Sequence, residues 1–323
     1  MATTPPTLAI VIVNWNAGLQ LRACLASIAA AARSGFVLTD VVVVDNASAD
    51  GSADGLESID LPLRIVRNDD NRGFAAACNQ GAAVLDLEPD YLLFLNPDTR
   101  LQTDSLSAAS AFMEHADHRR YAVYGCRMVD ESGRTVRSCS RFPGIGTFVQ
   151  KMLGLDHLLP RVFHGLHLAE FDHESDRDVD HVIGAFYFVR ASRFRTLGGF
   201  DERFFIYLED LDFSLRVHRF GERIRYSAAS SIVHKGGGTS ERIRAARLAY
   251  ALDSRLRYCD KHFSRTAAAL VRLGTLYVEP LTRIVYALTR GGAGAAADVG
   301  RAMSLLRVRR RAANPGVRTR GGR

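Results

Sequence analysis

The stretch YLEDLDFSLR, residues 207–216, sets Glu209, Asp210 and Asp212 among leucine, phenylalanine and tyrosine in a chain whose net charge is +7. Carboxylates crowded that closely can serve proton transfer, or can stabilise a helix when they occupy its first turn. A helix that begins near Glu209 and ends at Gly221 carries Asp212, Arg216 and Arg219 on one face, at i, i+4 and i+7. That spacing assigns Asp212 a structural ion pair on the helix surface, worth at most about 0.5 kcal/mol. The positive end of the helix dipole favours acids by ~0.3–1 kcal/mol each, which accounts for the carboxylates but not for their apolar surroundings.

Other polar residues fall at regular places. TLAIVIVNW (7–15), VLTDVVVVD (37–45), LRIVRN (63–68) and YLLFLN (91–96) are short aliphatic runs of the kind that buried parallel strands show. LQLRACLASIAAAA, the shorter SADGLESI and GFAAACNQGAAVL separate them with helical spacing. This is a βαβαβαβ alternation and predicts an α/β, doubly wound, mostly parallel sheet. Each strand ends on polar groups: Asn14 and Asn16, then Asp45 and Asn46, then Asn68 to Asn71, then Asn96 and Asp98. Asn and Asp also form turns for purely structural reasons, but open α/β sheets bind ligands outside the carboxyl ends of their strands, and four such ends favour a site.

The 323 residues, 47% hydrophobic and 24% charged, suffice for a large α/β domain with an appendage. Five cysteines without a CxxC pair, and no charged-then-apolar leader before the first strand, indicate a reduced, cytosolic compartment. The basic surplus concentrates in an arginine-rich end from Arg301 onward, suited to nucleic acid, anionic lipid or solubility. No GxxxxGK[ST] occurs, no GxGxxG follows the first strand, and the histidines at 157, 164, 167 and 173 fit no zinc pattern. A nucleotide, if one binds, is held by other means than a Walker or dinucleotide loop.

VIVNWN (11–16), VVVVDNASADGS (41–52), NRGFAAACNQG (71–81), LFLNPDT (93–99), GAFYFVRASRFRTLGGFDERFFIYLEDLDFSLRVHRFG (184–221) and VHKGGGTS (233–240) resemble the inverting family 2 glycosyltransferases of GT-A fold. Within them the chain is most similar to the rhamnosyltransferase branch that builds bacterial surface polysaccharides. The resemblance implies a nucleotide-diphosphate sugar donor and a lipid-linked saccharide acceptor, with dTDP-L-rhamnose the expected donor. Another donor, such as a UDP-hexose or UDP-galactofuranose, is the alternative enzyme reading, and a non-catalytic nucleotide or nucleic-acid binding protein the alternative class.

The resemblance also implies roles. Asp210 is the general base of a single inverting displacement and Glu209 supports acceptor binding. Asp98 is the residue expected to hold a divalent cation, Mg2+ or Mn2+, with His234 completing its shell. Here the family's Asp-x-Asp reads Asn96-Pro97-Asp98, so the first carboxylate is an amide. Asn14 and Trp15 are expected beside the base of the nucleotide, Asp45 as an acceptor from base or ribose, Arg72 at the phosphates or the sugar, and Asn96 with them in the nucleotide-sugar site. Asp98, Asp210 and His234 together argue against a non-catalytic binder, and the final arginine run lacks the aromatic residues of an RNA-stacking surface.

The catalytic domain is expected over residues 1–238 and a C-terminal helical, basic extension over 239–323. Within the first, 142–178 mixes Gly, Pro, His and apolar residues without a period and is expected to form a loop or lid over the acceptor. Residues 240–263 read as one helix capped at Thr239 or Ser240. Residues 266–290 are nearly apolar but interrupted by Arg272, Glu279, Pro280 and Arg283, which makes a poor spanning helix and a suitable interfacial one, or a pair of them. With the arginine tail, these helices are expected to hold the protein peripherally at the inner face of the cell membrane.

Overall fold

Strand β1 (Thr7–Asn14) is buried from Leu8 to its end. Leu8, Ile10 and Ile12 enter one apolar cluster while Ala9, Val11 and Val13 enter another, as the two-residue period of a strand demands when both sheet faces are covered. The computed structural model describes residues 4–159, 162–163, 165–236, 244–290 and 292–313. Helix α1 (Leu19–Ala30) covers the first face with Leu21, Cys24, Leu25 and Ile28. β2 (Val37–Asp45) and β3 (Leu63–Arg67) extend the sheet on one side of β1; α2 (Phe74–Ala83) then covers the second face, and β4 (Tyr91–Leu95) pairs on the other side of β1. All four strands run parallel in the order β3-β2-β1-β4. The order reverses across β1, which opens a crevice at the carboxyl ends of β1 and β4.

The helix expected at SADGLESI does not form. Residues 51–61 are turns and bends, with Gly51 and Gly55 in the left-handed region at φ 71° and 62°. Side chains hold these turns in place of helical bonds: Arg22 donates to the carbonyls of Asp54 and Gly55, and Arg67 to that of Ala53.

The chain continues through β5 (Thr99–Leu101), α3 (Ser105–Glu114), β6 (Tyr121–Val129), β7 (Thr135–Val136), β8 (Cys139–Ser140), α4 (Ile145–Met152), α5 (Leu155–Leu158), β9 (Arg177–Val179), β10 (His181–Val182), β11 (Phe186–Arg190), α6 (Ala191–Thr196), α7 (Glu209–Arg219) and β12 (Arg223–His234). Beyond β4 the sheet is mixed: β11 lies antiparallel to both β4 and β6, β12 parallel to β6, and β5 antiparallel to β12. β8 and β10 form a separate two-stranded pair.

Two compact units emerge. One comprises residues 1–142, 166–205 and 209–239; the other comprises 143–165, 206–208 and 240–323. The second is helical, with α4 and α5, then α8 (Arg244–His262), α9 (Arg265–Leu273), a π-helical turn over Gly274–Val278, α10 (Glu279–Arg290) and α11 (Gly292–Ala313). The cap expected at Thr239 or Ser240 lies outside the described residues. The 142–178 segment is not the irregular stretch its sequence suggests: α4 and α5 form within it. Its His173 is buried and accepts the backbone N–H groups of Ser138 and Cys139; His164 lies outside the described residues. Among the described residues no helix is long and apolar enough to cross a membrane.

In the helical unit, burial has sorted the charges. Glu279 is buried and binds Arg255 and Arg283, and Arg272 binds Asp260. The arginines hold the Glu279 carboxyl below its usual range against the opposing effect of burial. The charged residues that interrupt the apolar run therefore face partners inside this unit.

The surface placement expected of Asp212 also needs correction. Asp212 is fully buried, not on a helix surface, and Arg216 Nε donates to its Oδ2 at 2.9 Å while Nη1 and Nη2 donate to the carbonyls of Leu197 and Gly199 at 2.6 and 2.8 Å. Spacing of i and i+4 is the same for an exposed and a buried pair; packing of α7 against the second core made this one buried. Breaking a buried pair leaves an uncompensated charge. Asp212→Asn is expected to lower unfolding stability by about 3 kcal/mol, read as a lower urea midpoint with an unchanged slope. A loss below about 0.5 kcal/mol would restore the surface-pair reading.

Candidate active site

Register places the polar strand ends side by side. Asn14 lies opposite Asp45, and Asp45 opposite Arg67. The Asn14 amide Nδ2 lies 2.8 Å from Asp45 Oδ1, 3.0 Å from Ser48 Oγ and 2.9 Å from Ser52 Oγ. Asn14 and Asp45 are both buried, and the Asn14 amide oxygen has no hydrogen-bond partner among the described residues. An unpartnered buried acceptor costs free energy, so the position suits a ligand donor such as a ring N–H. Asp45 Oδ2 also lies 3.8 Å from Arg67 Nη1. Ser48, Ser52 and Arg67 were not singled out from the sequence, although both serines stand inside the motif DNASADGS.

Asn46 organises the next two loops. Its Oδ1 accepts from Asn68 Nδ2 and from the backbone of Arg72, and its Nδ2 donates to Asn71 Oδ1 and the Gly73 carbonyl. The loop that carries Arg72 is thereby fixed, while the Arg72 side chain is exposed and makes no hydrogen bond or ion pair among the described residues. Trp15 is half-buried and stacks on no other ring among them.

The Asn96-Pro97-Asp98 stretch is a tight turn, as its proline would produce by itself. The Asn96 carbonyl accepts from the Thr99 backbone at 3.2 Å and from its hydroxyl at 2.5 Å. The turn does more, because it brings Asp98 to His234. β12 pairs with β5 so that His234 lies opposite Thr99, which sets His234 Nε2 3.3 Å from Asp98 Oδ1. Both side chains are partly accessible, at 12% and 14%. Among the described residues no group of three His, Cys, Asp or Glu gathers as a closed metal site. One carboxylate and one imidazole fit a hard cation that draws its remaining ligands from phosphate oxygens and water.

The two acids at the start of α7 have opposite environments. Asp210 Oδ2 accepts the Gly184 N–H at 2.7 Å and Oδ1 accepts that of Leu211 at 2.8 Å. A Cβ at residue 184 would stand 3.1 Å from Oδ2, so the close approach favours glycine. The neighbouring Ala185 carbonyl accepts the Asn96 N–H at 3.1 Å. Residues 184–185 thus connect the base candidate to the turn that bears Asp98. Glu209 is only 4% exposed, and its Oε2 has no hydrogen-bond partner among the described residues. Burial first, then the charges of Asp210 and Asp212, push its carboxyl well above the ordinary range, which favours the neutral acid. Tyr207 and Leu208, immediately before this helix, both take positive φ, 71° and 67°. Left-handed backbone at non-glycine residues costs ~1–2 kcal/mol each and concentrates at functional sites.

All nine residues expected from the sequence to form the site lie in the first unit. Asn14 with Asp45, and Asp98 with His234, are joined directly; Trp15, Arg72 and Asn96 lie in the adjoining strand-end loops without a side-chain bond to these pairs. Gly184, His181 and Ser214 were missed. Gly184 and Ser214 stood inside the quoted 184–221 stretch without being singled out, and no sequence signal marked His181.

Known proteins resemble the chain in family and in fold. Residues 9–171 match the model described as Glycosyl transferase family 2, and residues 91–290 that of Glycosyl transferase family group 2. The chain is 28% identical over 174 residues to the rhamnosyltransferase WbbL of Escherichia coli, a match to 53% of this chain and 62% of that protein, so it spans less than two thirds of that relative. It is 28% identical over 254 residues to an N-acetylglucosaminyl-diphospho-decaprenol L-rhamnosyltransferase of Mycobacterium tuberculosis, covering 75% of this chain and 80% of that one. Among solved structures, the mannosyltransferase PcManGT of Pyrobaculum calidifontis, in complex with GDP-Man and Mn2+, superposes with a TM-score of 0.54 at 16% identity over 94% of this chain and 81% of that one. GalNAc-T7 with UDP, GalNAc and Mn2+ gives 0.55 at 15% identity over 80% of this chain and 48% of that one. The fold is GT-A, and with its polar strand ends, the Asn-Pro-Asp turn and the Glu-Asp pair of α7, the chain belongs to glycosyl transferase family 2, on the side of its rhamnosyltransferase-like members.

Proposed function

We propose that this protein transfers L-rhamnose from dTDP-L-rhamnose to a lipid-linked saccharide, in the synthesis of a bacterial surface polysaccharide, with inversion at the anomeric carbon. The observation that carries the mechanism is Asp210: an acceptor-only carboxylate at the head of α7, held by the Gly184 N–H beside the end of β4. In one displacement the acceptor oxygen bonds to the anomeric carbon as the bond to the diphosphate breaks, and Asp210 takes the hydroxyl proton. The choice of sugar and acceptor draws on the names of the two relatives at 28% identity. A second reading, transfer from another hexose donor, draws on the 23% identity to the hexosyltransferase Agl10 of Haloferax volcanii.

The buried Asn14–Asp45 pair and its serines serve the nucleoside, with Trp15 beside the base and Arg72 free for the phosphates or sugar. Asn96 shapes the turn that sets Asp98. Asp98 and His234 would hold a divalent cation, Mg2+ or Mn2+, whose charge would stabilise the departing diphosphate. Glu209, as a neutral acid, can donate a hydrogen bond to the acceptor without adding a second negative charge beside Asp210.

A lipid-linked acceptor calls for a membrane surface, and the helical unit offers one. Leu270, Leu273, Tyr277, Leu281, Val285 and Leu288 are each 56–65% exposed, and they recur every three or four residues, on one face of the α9–α10 run. Arg272 and Arg283 are taken up by Asp260 and Glu279, which leaves this face apolar. With the arginines of α11 nearby in sequence, the unit suits an anionic leaflet, at about 1 kcal/mol per basic residue close to the surface. The protein acts peripherally at the cytoplasmic face in this reading, and nucleic acid is not a partner.

Three measurements test these roles. Asp98→Ala is expected to abolish transfer and the metal-dependent part of donor binding in calorimetry, with His234→Ala milder; full turnover in EDTA would remove the cation from the mechanism. Asp210→Asn should lower kcat by ~10²–10⁴ with donor affinity unchanged, whereas Glu209→Gln, replacing a neutral acid with a neutral amide, should keep kcat and raise the acceptor KM by less than about tenfold. A Glu209→Gln loss as deep as that of Asp210→Asn would mean that Glu209 acts ionised. For the membrane, Leu281→Glu with Val285→Glu should abolish sedimentation with anionic vesicles while preserving donor hydrolysis. These exposed sites are a cleaner test than truncation after His262, which would strip Arg255 of its buried partner Glu279. Undiminished vesicle binding by the double variant would refute the surface.

A further inference from the structure

Behind Asp210, on the side of β10, stands a group of buried side chains with no part in the scheme above. His181 Nε2 lies 3.6 Å from Asp210 Oδ2. His181 Nδ1 lies 2.9 Å from Ser214 Oγ, which lies 2.9 Å from the Tyr187 hydroxyl. All three are buried, on three different elements: β10, α7 and β11.

The protons in this chain can be assigned from its ends. A carboxylate only accepts, so the ring nitrogen facing Asp210 carries the hydrogen. Burial lowers the affinity of the His181 ring for a second proton, and outweighs the attraction of Asp210. In the neutral ring Nδ1 is then an acceptor, so Ser214 donates to it. The Ser214 oxygen in turn accepts the Tyr187 O–H. Every donor points the same way, Tyr187 to Ser214 to His181 to Asp210, and bonds aligned in series polarise one another.

We propose that His181 is a positioning residue for the Asp210 base, oriented by Ser214 and Tyr187 so that its Nε2–H and the Gly184 N–H together fix the carboxylate in the rotamer that meets the acceptor hydroxyl. This rests on the reading of Asp210 as the base. The 3.6 Å separation is longer than a hydrogen bond; catalytic contacts of this kind tighten when the reacting complex forms. Two donors on one oxygen leave Oδ1, with its single bond from the Leu211 N–H, to take the proton.

The test compares His181→Phe, which keeps a ring but removes the donor, with His181→Gln, whose amide nitrogen can replace Nε2–H. Each is assayed for transfer from the nucleotide-sugar and for donor affinity by calorimetry, beside wild type and Asp210→Asn. His181→Phe should lose roughly tenfold in kcat, the size of one hydrogen bond to a charged group, with acceptor KM and donor affinity unchanged. His181→Gln should recover most of that loss, and Tyr187→Phe should give a smaller loss of the same kind. In wild type, the 15N shifts of His181 should report a neutral ring protonated at Nε2. Equal losses in the Phe and Gln variants, a loss confined to KM or donor affinity, or a ring protonated at Nδ1 would overturn the proposal. If Asp210→Asn transfers normally, the base reading fails first; if it is inactive while His181→Phe is not impaired, only the relay fails.

Discussion

The backbone at Gly184 and Ala185 is the constraint on which the site depends. Its N–H binds the Asp210 carboxylate and its next carbonyl binds the Asn96 N–H, so one short link between β10 and β11 sets both the base and the turn that bears Asp98. A side chain at 184 would press on the carboxylate. The link is rigid because β11 is clamped between β4 and β6 in the middle of the sheet. Position in the sheet thus becomes position of a reacting group, which is what the proximity part of catalysis requires.

A second constraint is electrostatic. Three carboxylates start one helix, and the fold gives each a different counterpart. Asp212 has an arginine, Asp210 has backbone N–H groups and a histidine, and the buried Oε2 of Glu209 has no hydrogen-bond partner among the described residues. Like charges that close do not all persist in a buried setting. Burial first, then the neighbouring charges, push the Glu209 carboxyl with its unpartnered oxygen toward the neutral acid. Separation of environments, more than the acidity of the stretch, is what would let one carboxylate act as base while its neighbour donates.

Much of this was legible in the sequence because strand ends are sharp boundaries. An apolar run followed by Asn or Asp marks Asn14, Asp45, Asn96 and Asp98 in the sequence itself, and parallel register sets Asn14 beside Asp45 and brings the end of β4 alongside β1. The misreadings share one cause: local pattern is blind to depth and to distant partners. The i, i+4 spacing of Asp212 and Arg216 was read correctly as a pair but not as a buried one. SADGLESI carried too few residues between glycines to sustain a helical turn, and its bonds came from Arg22 and Arg67. His181 and Ser214 are thirty-three positions apart and meet only because β10 packs against α7.

The same blindness affected the C-terminal helices, where the charges looked like interruptions of an apolar run. In the structure Glu279 is the buried centre of a pair of arginines from α8 and α10, and Arg272 reaches back to Asp260. Asp253, also buried, is flanked by Arg257, Arg309 and Arg310. Buried ion pairs are weak sources of net stability, but breaking one leaves an uncompensated buried charge, so a register slip here would be costly. A helix whose outer face is apolar gains nothing from that face in water and has no hydrophobic reason to keep it outward. The ionic lock supplies the reason: with Glu279 committed to Arg255, the opposite side of α10, with Leu281, Val285 and Leu288, has to point out.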